Sequence, residues 1–169
     1  MVQKPQKICD MAGFQIPDDR LFIMVPSEGA GSEYPFSGEK LSAIMAFYKV
    51  KDIDGAIEMT NAIQNYQGKG HSCGIYSQSD DNILKLAMGT YTSRVMVNQP
   101  QAPSNSGNLW NGMRQTFSLG CGTWGGNSTN ENINWKHLVN ISWVSKPLEQ
   151  TKVIPSDEEL FGDIIERTR

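Results

Sequence analysis

Residues 119–132 read LGCGTWGGNSTNEN, and this is the most informative stretch of the chain. Four glycines fall within seven residues, from Gly120 to Gly126. Glycine is favoured where the backbone takes a positive φ or approaches another group closely, and it costs entropy elsewhere. A flexible surface loop is the alternative, but such linkers are rich in glycine and serine rather than Cys, Trp and Asn. The stretch therefore predicts a loop that lines a site.

Apolar, partly β-branched segments alternate with helical patterns on the N-terminal side of this loop. The predicted strands are residues 20–25, 42–50, 72–77 and 93–97. The predicted helices are residues 5–12, a segment that Asp52 or Asp54 caps and Gly68 ends, and a segment that begins at Asp80. This alternation with short connections predicts an α/β fold, a mostly parallel sheet with flanking helices.

The pattern changes in the later part of the chain. Residues 98–116 show no periodicity, which favours a functional loop. Residues 138–145 are predicted as a late strand, and Ser156 with Glu159 forms a capping box that opens a terminal helix. We expect one region over residues 1–146 and a linker with a terminal helix over residues 147–169.

Charge and composition exclude several classes of function. The net charge of −3, the pI near 5.4 and the lack of a Lys/Arg cluster argue against nucleic-acid binding. The longest apolar runs, such as residues 21–25, are too short to span a bilayer. The N-terminus lacks a signal-peptide pattern, and three cysteines without a CxxC pair predict neither a disulfide framework nor a metal site. We expect a cytoplasmic protein.

Several residues could carry chemistry. His71 lies between Gly70 and a predicted strand, where an imidazole can transfer protons, although a surface histidine beside a turn is an equal alternative. Cys73 and Cys121 could be nucleophiles, but buried apolar roles are more common for cysteine. The Glu39 carboxylate could accept hydrogen bonds from sugar hydroxyls, unless it is only a solvated loop charge.

Four motifs occur in the order and at the spacing found in one known family. They are EKLS at 39–42, GHSC at 70–73, RVMVN at 94–98 and LGCGTWGGNS at 119–128. From about residue 7 to residue 143 the chain resembles the CoA-acylating aldehyde dehydrogenases, in the C-terminal part of their catalytic and oligomerisation region. The segment VNQP at 97–100 is most similar to the sulfoacetaldehyde and succinate-semialdehyde type.

The resemblance implies a reaction and a set of roles. An aldehyde, short and anionic in this type, is oxidised through a cysteine thioester, with NAD or NADP as oxidant and coenzyme A as acyl acceptor. Glu39 would bind the nicotinamide ribose, His71 would lie near the reacting centre, and the protein would form a homo-oligomer. The implied substrate-pocket residues are Asn98, Gln99, Gly120, Cys121, Gly122 and Trp124.

One departure from the family is large. The family's nucleophilic cysteine and its nucleotide-binding domain lie upstream of everything that matches here, and Cys9, Cys73 and Cys121 do not align with that nucleophile. We therefore expect a fragment of the catalytic domain that is inactive alone. The alternative is a non-catalytic binding or assembly module derived from the same fold.

Overall fold

The computed structural model of the chain describes residues 3–147, 149 and 153–168. Its helices are α1 (Pro5–Met11), α2 (Ile53–Tyr66), α3 (Asp80–Gly89), α4 (Gln101–Asn105) and α5 (Asp157–Thr168). Its strands are β1 (Ile23–Pro26), β2 (Ile44–Phe47), β3 (Cys73–Ile75) and β4 (Val95–Val97). All four predicted N-terminal strands and all three predicted N-terminal helices are present, and the strands are shorter than predicted.

The strands pair in parallel, as the alternating pattern predicted. Strand β1 pairs with β2, with Ile23 opposite Ile44, and β3 pairs with β4, with Cys73 opposite Val95. The pairs form two separate two-stranded sheets, because no strand in the described part of the chain joins them. The result is a mixed fold of helices and short parallel strands.

Side-chain caps set the starts of the two longer helices in the region of the candidate site. The Gly55 N–H donates to Asp52 Oδ1 at 3.0 Å at the start of α2, which confirms the Asp52 alternative. The Asn82 N–H donates to Ser79 Oγ at 3.3 Å at the start of α3. The two helices are tied together where Asn61 Nδ2 donates to the Gly89 carbonyl at 2.7 Å.

Two predictions for the later part of the chain are wrong. Residues 138–145 form no strand: Leu138 ends a 3-10 helix that begins at Trp135, and residues 139–145 have no regular structure. A strand needs a neighbour for its N–H and C=O groups, and the described residues offer this segment none. Residues 98–116 are also not wholly irregular, because they contain helix α4.

The chain divides into two units, residues 1–138 and residues 139–169. The predicted boundary at residue 146 stays a prediction. In the second unit the Ser156 N–H donates to Glu159 Oε2 at 2.8 Å and the Glu159 N–H donates to Ser156 Oγ at 3.3 Å, so the capping box is confirmed. Within the predicted linker, residues 148 and 150–152 lie outside the described residues.

The described residues provide neither a membrane-spanning helix nor a metal-binding cluster. Within them no helix has both the length and the apolar character needed to cross a bilayer. The same residues contain no cluster of three His, Cys, Asp or Glu side chains that is suited to a metal ion.

Candidate functional site

A cavity of about 500 Å³ lies beside Glu39 and His71, which the sequence analysis selected on separate grounds. Its walls come from the turn after Pro35–Ser37, from helix α2 and from the loop between α2 and β3. Helix α4 adds Gln101 and Asn105. The fold therefore brings the candidate cofactor-binding carboxylate and the candidate catalytic imidazole to one cavity.

The end of helix α2 fixes the backbone at Glu39. The Glu39 N–H donates to Oε1 of Gln67, the C-cap residue of α2, at 2.7 Å. Next to it, Lys40 Nζ donates to the Gly38 carbonyl at 2.8 Å, and desolvation by burial lowers the pKa of this ammonium. The side chain of Glu39 is exposed, so a ligand can reach its carboxylate while the backbone stays in place.

His71 is held in the loop that enters β3. The backbone N–H of His71 donates to the Gly68 carbonyl at 3.1 Å, and the ring Nδ1 lies 2.7 Å from Ser72 Oγ. Partial burial of the ring, and then the charge of Arg94, lower the pKa of His71 from 6.5, while the Glu39 carboxylate acts in the opposite direction. The imidazole is therefore neutral near pH 7, where it can accept a proton or a hydrogen bond.

Arg94 joins the His71 loop to the Gly-rich loop. Its guanidinium donates to the Gly120 carbonyl at 2.8 Å and to the His71 carbonyl at 3.0 Å, and the residue is only 5% exposed. The link that Arg94 makes between the two loops was not predicted from the sequence. A signal was present, because strand side chains on one face recur every second position, and Arg94 and Met96 are both buried within residues 93–97, which the sequence predicts as a strand.

The Gly-rich loop uses its glycines in the two ways that the sequence predicted. Gly122 and Gly126 have φ values of +62° and +71°, and Gly122 lines a second cavity, of about 220 Å³, together with Trp124. The loop also approaches Gly70, where an added Cβ would lie 2.1 Å from the Cys121 carbonyl oxygen. Cys121 thus carries the contact with the His71 loop, Gly120 is bonded to Arg94, and Gly122 and Trp124 shape the second cavity.

Asn98 and Gln99 lie apart from both cavities. The Asn98 side chain pairs with the Ser77 backbone, accepting from its N–H and donating to its carbonyl, both at 2.8 Å. Gln99 Oε1 accepts from Asn111 Nδ2 at 3.2 Å. These amides stabilise the loops around β4, and their predicted role in a substrate pocket stays a prediction.

The three cysteines differ in their surroundings, and only Cys121, which is hydrogen-bonded to the Arg94 guanidinium, lies next to a cation among the described residues. Cys9 is fully buried, and the Sγ of Cys73 lies 3.7 Å and 3.6 Å from the hydroxyls of Thr90 and Thr92. Among the hydrogen bonds of the described residues, none joins a cysteine sulfur to a histidine ring. A thiol is activated by an adjacent base or cation, so the sulfur–hydroxyl contacts at Cys73 do not make it a nucleophile.

A further cavity, of about 780 Å³, was not foreseen from the sequence. It lies where β1 and β2 end, at Pro26 and Phe47, and its aromatic lining includes Tyr34, Phe36 and Tyr48. The carboxyl ends of parallel strands are common places for ligands. The predicted strands, together with the aromatic residues that follow them, could therefore have indicated this cavity.

Proteins with similar sequences show which family the chain is related to. No protein-family model matches the chain. Over all of its length it is 38% identical to a sulfoacetaldehyde dehydrogenase of Acholeplasma sp., and over 93% of its length it is 37% identical to the acetylating succinate-semialdehyde dehydrogenase of Clostridium kluyveri. The chain is homologous to part of an acylating aldehyde dehydrogenase. It spans about a third of the length of these relatives, 34% of each.

Solved structures of aldehyde dehydrogenases agree with this assignment. An acetylating aldehyde dehydrogenase from Geobacillus thermoglucosidasius matches 87% of the chain with a TM-score of 0.77 and 33% identity. A probable aldehyde dehydrogenase from Listeria monocytogenes matches 87% with a TM-score of 0.80 and 32% identity. The chain covers 33% and 32% of these two proteins. The resemblance to acylating aldehyde dehydrogenases and the fold expected from it are confirmed.

Proposed function

We propose that this chain forms one part of the active site of a CoA-acylating aldehyde dehydrogenase, which oxidises a short anionic aldehyde to its acyl-CoA with NAD or NADP. The observation that carries the proposal is the shared cavity of Glu39 and His71, two residues from separate motifs of that family. The names of the relatives support the reaction class.

The residues of the cavity fit the ribose end of a nicotinamide cofactor. Its volume of about 500 Å³ falls in the range of small-molecule sites. The Glu39 carboxylate has two acceptor oxygens, which suit two neighbouring hydroxyls. Gln67 holds the Glu39 backbone in place, and the neutral ring of His71 accepts a proton or a hydrogen bond. When bound, the cofactor supplies the hydride acceptor and coenzyme A supplies the thiol that takes the acyl group.

The nucleophile is proposed to come from the two thirds of the relatives that this chain does not match. The surroundings of Cys9, Cys73 and Cys121 support this, because no described histidine is hydrogen-bonded to any of their sulfurs. The chain alone is then inactive and contributes the wall of the site that carries Glu39, His71 and the Gly-rich loop.

An anionic substrate is supported by the relatives and by charge. The Acholeplasma and Clostridium relatives are named for sulfoacetaldehyde and succinate semialdehyde, whose acidic groups are a sulfonate and a carboxylate. In this chain the buried guanidinium of Arg94 donates to backbone carbonyls, and no carboxylate within 4 Å pairs with it among the described residues. Arg94 Nε is buried without a hydrogen-bond partner, although the Cys121 thiol contacts the guanidinium, and a buried cation favours an anion nearby. We place that anion beside the Gly-rich loop.

A chimeric enzyme tests the cofactor role. In the chimera, this chain replaces the matching third of the Acholeplasma relative. Acyl-CoA formation is then followed with sulfoacetaldehyde and, separately, with acetaldehyde. Glu39→Gln should raise the cofactor KM or lower kcat about tenfold, since hydrogen bonds to charged groups are worth roughly 1.5–3 kcal/mol. Glu58→Gln, an exposed carboxylate on α2, is the matched control.

The outcomes separate the alternatives. Unchanged kcat and KM in Glu39→Gln would remove Glu39 from the cofactor site. A higher kcat/KM for acetaldehyde than for sulfoacetaldehyde would remove the anionic substrate. A folded chimera without any activity would favour the non-catalytic binding or assembly module.

A further inference from the structure

Two side chains that line the Glu39 cavity each carry a buried oxygen without a hydrogen-bond partner. Gln64 on α2 is 8% exposed and Asn105 at the end of α4 is 4% exposed, and both line the cavity. Within the part of the chain that the structure describes, neither Gln64 Oε1 nor Asn105 Oδ1 accepts a hydrogen bond. Buried polar atoms are nearly always paired, so two such oxygens at one cavity indicate a ligand that donates to them.

The geometry of Asn105 fixes which of its atoms is free. Its Nδ2 donates to the Gln101 carbonyl at 3.1 Å and to the Ala102 carbonyl at 2.6 Å, so the amide cannot be turned around without losing both bonds. Gln64 is one helical turn before Gln67, whose Oε1 is already occupied by the Glu39 N–H. The last torsion of a glutamine is broad, so a small rotation brings Gln64 Oε1 to a ligand.

The chemistry of these acceptors selects the class of ligand. A hydroxyl both donates and accepts, whereas an amide NH₂ only donates and offers two N–H groups. An ammonium would also only donate, but it carries three N–H groups, one more than the two free oxygens can accept one by one. Two carbonyl-type oxygens near an exposed carboxylate therefore suit a primary carboxamide attached to a sugar.

We propose that Gln64 and Asn105 bind the carboxamide NH₂ of the nicotinamide ring, beside the ribose that Glu39 holds. This inference rests on the proposed function and extends it, because it makes Gln64 a specificity-determining residue for the cofactor. The ring then lies between α2 and α4, on the His71 side of the cavity.

Binding of two small ligands to the complete chain tests this. The probes are nicotinamide riboside and 3-acetylpyridine riboside, in which a methyl group replaces the NH₂, and their dissociation constants are measured by NMR titration. The chain should bind the acetyl compound about tenfold more weakly, since buried acceptors are left unpaired. Gln64→Met keeps an unbranched side chain of similar length and should lower this ratio, because only Asn105 is then left to accept from the NH₂ group. Gln115→Met, at an exposed position outside the cavity, should leave the ratio unchanged.

Each result decides between this inference and the proposed function. Nicotinamide riboside that binds in a Glu39-dependent way, but no more tightly than the acetyl compound, overturns the role of Gln64 and Asn105 and leaves the proposed function in place. In that case ordered water satisfies the two oxygens. If neither riboside binds and Glu39→Gln changes nothing, both proposals are overturned. Amide-selective binding that Gln64→Met leaves intact overturns the assignment to Gln64.

Discussion

Gly70 is the residue where the His71 loop meets the Gly-rich loop. Its φ is +86°, and an added Cβ would lie 2.1 Å from the Cys121 carbonyl oxygen. Gly68, two residues earlier, has a φ of +93° with nothing within 4 Å of such a Cβ. The pair therefore separates the cost of an unusual backbone conformation from the cost of close approach.

We predict that Gly70→Ala is much more destabilising than Gly68→Ala. The Gly68 variant should lose about 1–2 kcal/mol of the free energy of unfolding, which is the cost of left-handed backbone for an L-residue. The Gly70 variant should lose roughly 1–3 kcal/mol more, because the two loops must move apart. Urea unfolding measures both, and equal losses would mean that the loops are not in contact.

His71 provides a prediction of pH dependence. Its pKa in the folded chain is lowered from 6.5, so the unfolded chain binds the proton more tightly. Above pH 6.5 the imidazole is neutral in both the folded and the unfolded chain, so it does not lower the free energy of unfolding. As the pH drops below 6.5 toward the folded pKa, the unfolded chain takes up the proton first and the free energy of unfolding falls. His71→Gln should remove this part of the pH dependence of unfolding.

NMR titration of the two histidine rings checks the cause of the shift. The His71 signal, assigned with a His137→Gln variant, should have its midpoint below 6.5, and Glu39→Gln should move the midpoint lower still because Glu39 raises this pKa. A midpoint above 6.5, or one that rises in Glu39→Gln, would contradict the electrostatic description.

Single residues in the sequence were informative where one local rule applied. The positive φ of Gly122 and the Asp52 cap follow from the chemistry of one position, and both were predictable. The partners of Arg94 and Asn98 were not, because each side chain bonds to backbone groups that only the tertiary fold brings near. For the same reason the orphaned oxygens of Gln64 and Asn105 have no signal in the sequence.

At the scale of elements, periodicity predicted the strands and helices that bury one face against a neighbour. The late strand over residues 138–145 failed because its apolar residues are not buried: Trp143 is 91% exposed and Val144 is 87% exposed. Apolar content predicts a strand only where a pairing edge is available, and no local pattern reveals whether one is. Helix α4 was missed because its five residues, QAPSN, include a proline and lack an apolar stripe.

Arg94, the residue before β4, links the two loops of the site, and this gives the prediction at the scale of elements. Arg94→Met should lower the free energy of unfolding by about 3 kcal/mol, the upper range for a hydrogen bond to a charged group, because the bonds to the Gly120 and His71 carbonyls are lost. Arg94→Lys should restore little, since an ammonium lacks the planar fork that serves both loops.

Arg114 supplies the matched control for this experiment. It is exposed, so Arg114→Met should change the free energy of unfolding by no more than about 0.5 kcal/mol. If Arg94→Met proves equally mild, the two loops are held together by other contacts, and the guanidinium is not their link.

At the scale of the whole molecule, exposed apolar residues predict association. Among the described residues only Cys9, Leu86 and Met96 are buried hydrophobic side chains, while Trp110, Phe117 and Trp143 are 80%, 107% and 91% exposed. Large exposed apolar surfaces favour contacts with other chains. The resemblance to acylating aldehyde dehydrogenases also implied a homo-oligomer.

We predict that the chain self-associates and that residues 139–145 contribute. Sedimentation velocity at several concentrations should show species larger than a monomer, and a Trp143→Ser, Val144→Ser double variant should shift the distribution toward monomer. Phe117→Ser, outside this segment, is the control. A monomer at every concentration would show that these apolar side chains remain exposed in solution.

The central claim is that this chain carries the cofactor-facing part of an acylating aldehyde dehydrogenase but not its nucleophile. Its most direct test is acyl-CoA formation from sulfoacetaldehyde, measured in parallel for the isolated chain and for the chimera with the Acholeplasma relative. We predict no turnover by the isolated chain and sustained turnover by the chimera. Turnover by the isolated chain that Cys73→Ala or Cys121→Ala abolishes would contradict the claim.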